Sequence, residues 1–134
     1  MFPVSLAIWA TIAGQADGAL EALVSYDIVV IHAEATDEAA HSGLADERIQ
    51  TIQRVDNEIV TRLRSWDKEA LPAVMLPSRA TAIEAQTPVG DPVPFVLWRS
   101  GFKASGAKRF AGTAARDTGV IVEEGHSIIR RLIE

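Results

Sequence analysis

Five residues close together could do chemistry: His32, Glu34, Asp37, Glu38 and His41, within YDIVVIHAEATDEAAHSG at residues 26–43. Asp37 and His41 stand four apart, so on a helical turn they would share a face. A carboxylate beside an imidazole is a workable pair for a divalent cation. The same spacing suits the solvated start of a helix, and spacing alone leaves both readings open. His32 closes an apolar run and reads more readily as a hydrogen-bonded core histidine than as a ligand. Glu34 and Glu38 read as partners of basic groups or solvent rather than as acid and base. Ser5 and Ser25 sit in apolar or helical contexts and match no nucleophile motif.

The element that must position these groups is Ile28-Val29-Val30-Ile31. It is too short for a helix and rich in β-branched residues, which predicts a strand, Asp27–His32, buried on both faces as in a parallel sheet. In open α/β sheets ligands gather beyond the carboxyl ends of strands, which is where the polar cluster falls.

This stretch, HAEATDEAAHSG, resembles the HVEAPDEAGHEG motif of the archaeal-type cofactor-independent phosphoglycerate mutases of the alkaline phosphatase superfamily. Further matches follow in the same order. Leu76-Pro77 with Thr81 resembles L-P-D-H-x-T. Asp91-Pro92-Val93-Pro94-Phe95 resembles T-H-T-x-D-P-V-P-F. Arg109-Phe110 with Ala114-Ala115, Gly119 and Gly125 resembles R-F-x-E-x-x-A and G-x-I-x-G. The motifs place the resemblance from about Tyr26 to the C-terminus, on the C-terminal part of the mutases.

The resemblance implies that Asp37 and His41 hold the positions of two ligands in a two-metal site for Mn²⁺, Zn²⁺ or Mg²⁺. It also implies losses. Ser78-Arg79 stands where the family has Asp-His, and Pro88 where it has His before the Asp-Pro-Val-Pro run. Ser and Pro cannot replace such ligands, and Arg brings a fixed positive charge into a cation's place. No match to the family's N-terminal half, with its phosphorylated serine, is visible before Tyr26. The expectation is a vestigial metal site with no cofactor. Arg79 would pair with Asp37 or Glu34 in place of the cation, and His32 would be a further binding candidate.

The rest of the chain bounds the function. Its 134 residues, 48% hydrophobic and 23% charged, predict one domain, 1–134, with its own core. The net charge of −5 argues against nucleic acid and acidic membranes as partners. The absence of cysteine excludes disulfides and thiolate metal sites. The apolar opening MFPVSLAIWATIAG lacks a basic leader region and is too short to span a bilayer. It reads as core or interface in a cytoplasmic protein.

A short helix is predicted over 16–25 and a long amphipathic one over 44–66, with Ile49, Ile52, Val55, Ile59, Val60 and Leu63 on one face. Further strands are predicted at Ala73–Leu76 and Val93–Trp98, neighbouring Asp27–His32 in one sheet. A short helix is predicted over Ala107–Arg116, a short strand at Val120–Val122 and a helix at Ser127–Ile133. Strands alternating with helices predict a layered α/β fold with a mainly parallel sheet. Arg99, Lys103, Lys108 and Arg109 cluster around Gly101 and Gly106 and read as a charged loop that could hold a phosphate.

Together these point to a non-catalytic mutase-like remnant serving as a structural or binding subunit, in a homo-oligomer or with a protein partner. The alternatives are one half of a split metal-dependent mutase or phosphatase, and a module binding a phosphorylated small molecule.

Overall fold

The computed structural model describes residues 4–7, 11–35, 38, 43–66, 71–82 and 87–134, with backbone alone at 4–7, 81–82 and 87–89. Its contacts divide it into two compact units, Met1–Trp66 with Thr81–Thr87, and Asp67–Ala80 with Pro88–Glu134.

In the first unit the apolar opening makes a strand and then the start of a helix. β1 (Val4–Ala7) pairs in parallel with β2 (Ile28–Ile31), Val4 opposite Ile28 and Ala7 opposite Ile31. Between them runs α1 (Ile12–Ala22), four residues ahead of the start its apolar stripe suggests. Thr11 explains the early start. Its extended backbone and its side chain, which accepts from the Gly14 N–H at 3.1 Å, cap the helix. Such a cap stabilises a helix by about 0.5–2 kcal/mol.

The long helix runs through residues 45–64 in three parts: α2 (Ala45–Val55), a π-helical turn (Asp56–Val60) and α3 (Thr61–Arg64). At the junction the Thr61 N–H reaches back five residues to the Asp56 carbonyl, which also accepts from the Thr61 hydroxyl at 3.0 Å. Such a turn inserts one extra residue and re-aims the side chains beyond it. The core of this unit is Ile12, Ala16 and Ile59, with Ile31, Ala33, Ala35, Val55 and Leu63 packed against it. Arg62 Nε also meets Asp17 Oδ1 at 2.8 Å, joining α3 to α1 at the surface.

The apolar face of the long helix is thus buried only from Val55 onward. α2 has no buried residue, and Ile52, expected in the core, is 50% exposed. β2 is likewise half-buried rather than covered on both faces, with Val30 45% exposed.

In the second unit β3 (Ala73–Met75) pairs antiparallel with β6 (Val96–Trp98). β4 (Ala80–Ala82) and β5 (Thr87–Val89), whose residues fall in both units, make a separate two-stranded pair. β6 starts only after Pro92 and Pro94, which lack ladder donors. α4 (Gly112–Asp117) is shorter than expected and ends at Gly119, whose φ of 68° continues past a helix as other residues rarely do. Residues 120–122 form no strand. A 3-10 turn (Gly125–Ser127) leads into α5 (Ile128–Ile133), which packs on β3 and buries Ile128.

Helices and strands are mixed as expected, but a mainly parallel sheet is not what pairs. Among the described residues β2 pairs with β1, while the strands expected beside it, β3 and β6, pair antiparallel with each other.

Candidate functional site

The carboxyl end of β2 carries the residues singled out by type. Beyond the strand the alternation of side chains continues to Ala33, before a turn at Glu34 opens a helical segment at Ala35. Ile31, Ala33 and Ala35 pack on the core, which leaves His32 and Glu34 on the other side, both exposed. His32 is therefore not a core histidine. Among the described residues its hydrogen bonding is through the backbone, its carbonyl accepting from Gln15 Nε2 at 3.4 Å. The Glu34 carbonyl accepts from the Glu38 N–H at 3.2 Å, and the Glu38 side chain is exposed. Asp37 and His41 lie outside the described residues.

Gln15 is the residue that sequence reasoning missed. It is 9% exposed, within α1, with one end of its amide on the His32 carbonyl. The other end, Oε1, is buried without a hydrogen-bond partner among the described residues. A signal was available: Ile12, Gln15, Ala16 and Ala19 follow the i, i+3, i+4, i+7 spacing of a buried stripe, and Gln15 is its one polar member.

In the other unit Ser78 and Arg79 form an exposed bend before β4. An exposed guanidinium contributes little to stability even when paired. Arg79→Ala should therefore change the unfolding free energy by under about 1 kcal/mol in chemical denaturation. A loss of several kcal/mol would instead reveal a buried partner.

A family model for the metalloenzyme superfamily matches residues 9–125. The chain belongs to the metalloenzyme superfamily. The match starts upstream of the quoted motifs and takes in α1. Curated relatives in this superfamily are 2,3-bisphosphoglycerate-independent phosphoglycerate mutases. That of Methanothrix thermoacetophila is 39% identical over 90% of this chain and 32% of its own length. Mutase 2 of Methanothermobacter thermautotrophicus is 36% identical over 89% of this chain and 29% of its own. The chain thus spans about a third of the length of the relatives it matches. Among solved structures, the PH0037 protein from Pyrococcus horikoshii matches 98% of this chain and 48% of its own with a TM-score of 0.90. At 23% identity it speaks to the fold. No described helix is long and apolar enough to cross a membrane.

The superfamily implies a metal, and the donor set decides whether this chain's residues fit one. Among the described residues no three of His, Asp and Glu gather closely enough to hold an ion. The positions that the motifs align with three further ligands carry Ser78, Arg79 and Pro88. A neutral hydroxyl, a fixed cation and a ring without a donor atom do not complete a two-metal centre. The described residues do not by themselves assemble such a donor set.

Proposed function

We propose that this chain is a phosphoglycerate mutase-like module that transfers no phosphoryl group by itself and works as a structural or binding subunit of a larger assembly. The observation that carries this reading is the replacement of three aligned ligand positions by Ser78, Arg79 and Pro88. Two cations held for in-line phosphoryl transfer need several anionic and imidazole ligands, and Asp37 with His41 would be what remains of such a set. The subunit role is supported by apolar surface left open, with Leu44, Ile49 and Ile52 all about half exposed on the first turns of the long helix. Ile49 and Ile52 stand three apart and share a helix face, and exposed apolar side chains on one face suit a contact.

Native mass spectrometry combined with elemental analysis of one sample tests this. The expected result is a mass above that of the single chain, no stoichiometric Mn²⁺, Zn²⁺ or Mg²⁺, and no mutase or phosphatase turnover. Two metal ions per chain with turnover by the chain alone would overturn it. The second reading, one half of a split enzyme, is favoured by Asp37 and His41, which keep two of the positions that the motifs align with metal ligands. It would be marked by turnover that appears only with a second chain and is lost in Asp37→Asn.

A further inference from the structure

The basic loop between β6 and α4 is more than a solvated charge run. Four of its cations lie close in sequence, yet the structure separates them. Arg99 sits over the ring of Phe102, 5.9 Å from its centroid, a cation–π contact. Lys108 and Arg109 instead line a cleft of about 340 Å³ with Ser105, Asp117 and Thr118. That volume falls within the roughly 300–1,000 Å³ of small-ligand sites.

The walls are set by local backbone chemistry. Gly106, at φ 85°, turns the chain where a side chain would be strained. Ser105 Oγ accepts from the Ala107 N–H at 3.4 Å, bracing that turn. On the far wall the Thr118 hydroxyl donates to the Ala115 carbonyl at 2.6 Å and accepts from the Val120 N–H at 3.2 Å, so it is committed to the helix end. The charged groups are not so committed. Among the described residues Lys108, Arg109 and Asp117 make no ion pair, although all three line one cleft. Two cations and one carboxylate that do not neutralise each other leave both signs of charge open to a ligand in this cleft.

We propose that this cleft binds a small oxyanion that carries its own hydrogen-bond donor. Lys108 and Arg109 hold the oxyanion through charge-assisted bonds, and the Asp117 carboxylate accepts from the ligand's hydroxyl or ammonium group. A fully deprotonated oxyanion would present only acceptors to Asp117 and be repelled there. The site stands whether or not the chain takes part in phosphoryl transfer.

Titration calorimetry of the whole chain at about pH 6 and low salt tests it with three probes: inorganic phosphate, which keeps a proton there, sulfate, which has none, and glycolate, a carboxylate with a hydroxyl. Phosphate or glycolate should bind about tenfold or more tightly than sulfate, the effect of one hydrogen bond to a charged group. Lys108→Met and Arg109→Met should each weaken the preferred probe by a similar factor. Asp117→Asn should erase the preference against sulfate. Phosphate tighter than glycolate assigns a phosphoryl ligand, and the reverse a hydroxy acid; both support the site. Circular dichroism of each variant shows whether the fold is kept, and Lys108→Arg should retain binding where Lys108→Met does not. Equal affinity for phosphate, glycolate and sulfate, no heat from any probe, or binding untouched by Lys108→Met and Arg109→Met would overturn the proposal.

Discussion

Ile59→Ala should lower the unfolding free energy by about 2–5 kcal/mol, whereas Ile52→Ala, seven residues away on the same helix, should stay within about 0.5 kcal/mol. Both side chains belong to one apolar stripe, so sequence pattern makes them equals. The structure does not. Ile59 is 5% exposed against Ile12 and Ala16 of α1, whereas Ile52 is half in solvent. Truncating Ile59 removes buried methylenes and leaves a cavity that helix and strand can close only in part. Truncating Ile52 removes area that is largely wet in the free chain. Urea unfolding followed by far-ultraviolet circular dichroism would measure both, the midpoint shifting at constant slope if the denatured state is unchanged. Equal losses would show that the first turns of the long helix are covered in solution. That outcome would itself report an assembly at Leu44, Ile49 and Ile52.

The legible part of this fold is what depends on short-range pattern. The β-branched run at 28–31 is a strand, and its parallel pairing with β1 agrees with the reading of that run. The helix over 45–64 follows from its period, and the late start of β6 from its prolines. What the pattern could not show is cover. Ile52 and Val30 are apolar and correctly phased, yet no described element packs over either of them, and periodicity is silent on what lies across a face. The pairing of β3 with β6 was illegible for a related reason: three-residue strands carry no signal of direction. The π turn at Asp56–Val60 changes no residue type and leaves the apolar stripe looking continuous.

The site was half legible. Residue types located the carboxyl end of β2, and the motifs carried the family, which the match over residues 9–125 confirms. The orientation of His32 was missed because the apolar run was treated as ending at Ile31. Ala33 and Ala35 are small enough to pass as loop, yet both pack on the core, Ala33 by the same alternation and Ala35 from the helical turn that follows. Gln15 was missed because the helix was expected to start one residue after it, at Ala16, whereas α1 begins at Ile12.

Gln15→Glu should destabilise the chain by about 3–5 kcal/mol at neutral pH, the scale of a buried charge without a partner, while Gln15→Met should stay within about 1 kcal/mol. The amide has two ends with opposite consequences. Nε2 donates to the His32 carbonyl at 3.4 Å, a long bond at the weak end of the range. Oε1 is buried with no partner among the described residues, which costs about 1–3 kcal/mol. Gln15→Met removes the bond and the orphaned acceptor together, so the two changes largely offset. Gln15→Glu removes the donor, sets a carboxylate oxygen against the His32 carbonyl and buries a charge. Its effect should depend on pH with a definite sign. Burial raises the new carboxyl's pKa in the folded chain above the roughly 4.3 of an unfolded glutamic acid. The folded state then binds more protons between those two values, so stability falls as pH rises through that window and levels off above it. Below about pH 4 the protonated acid can donate to the His32 carbonyl, and the variant should approach the parent. Denaturation of parent and variant between pH 3.5 and pH 8 would measure this, the difference between them isolating the introduced group. A loss independent of pH, or one in Gln15→Met as large as in Gln15→Glu, would mean that Oε1 has a donor in solution and that Gln15 is a satisfied link between α1 and the end of β2.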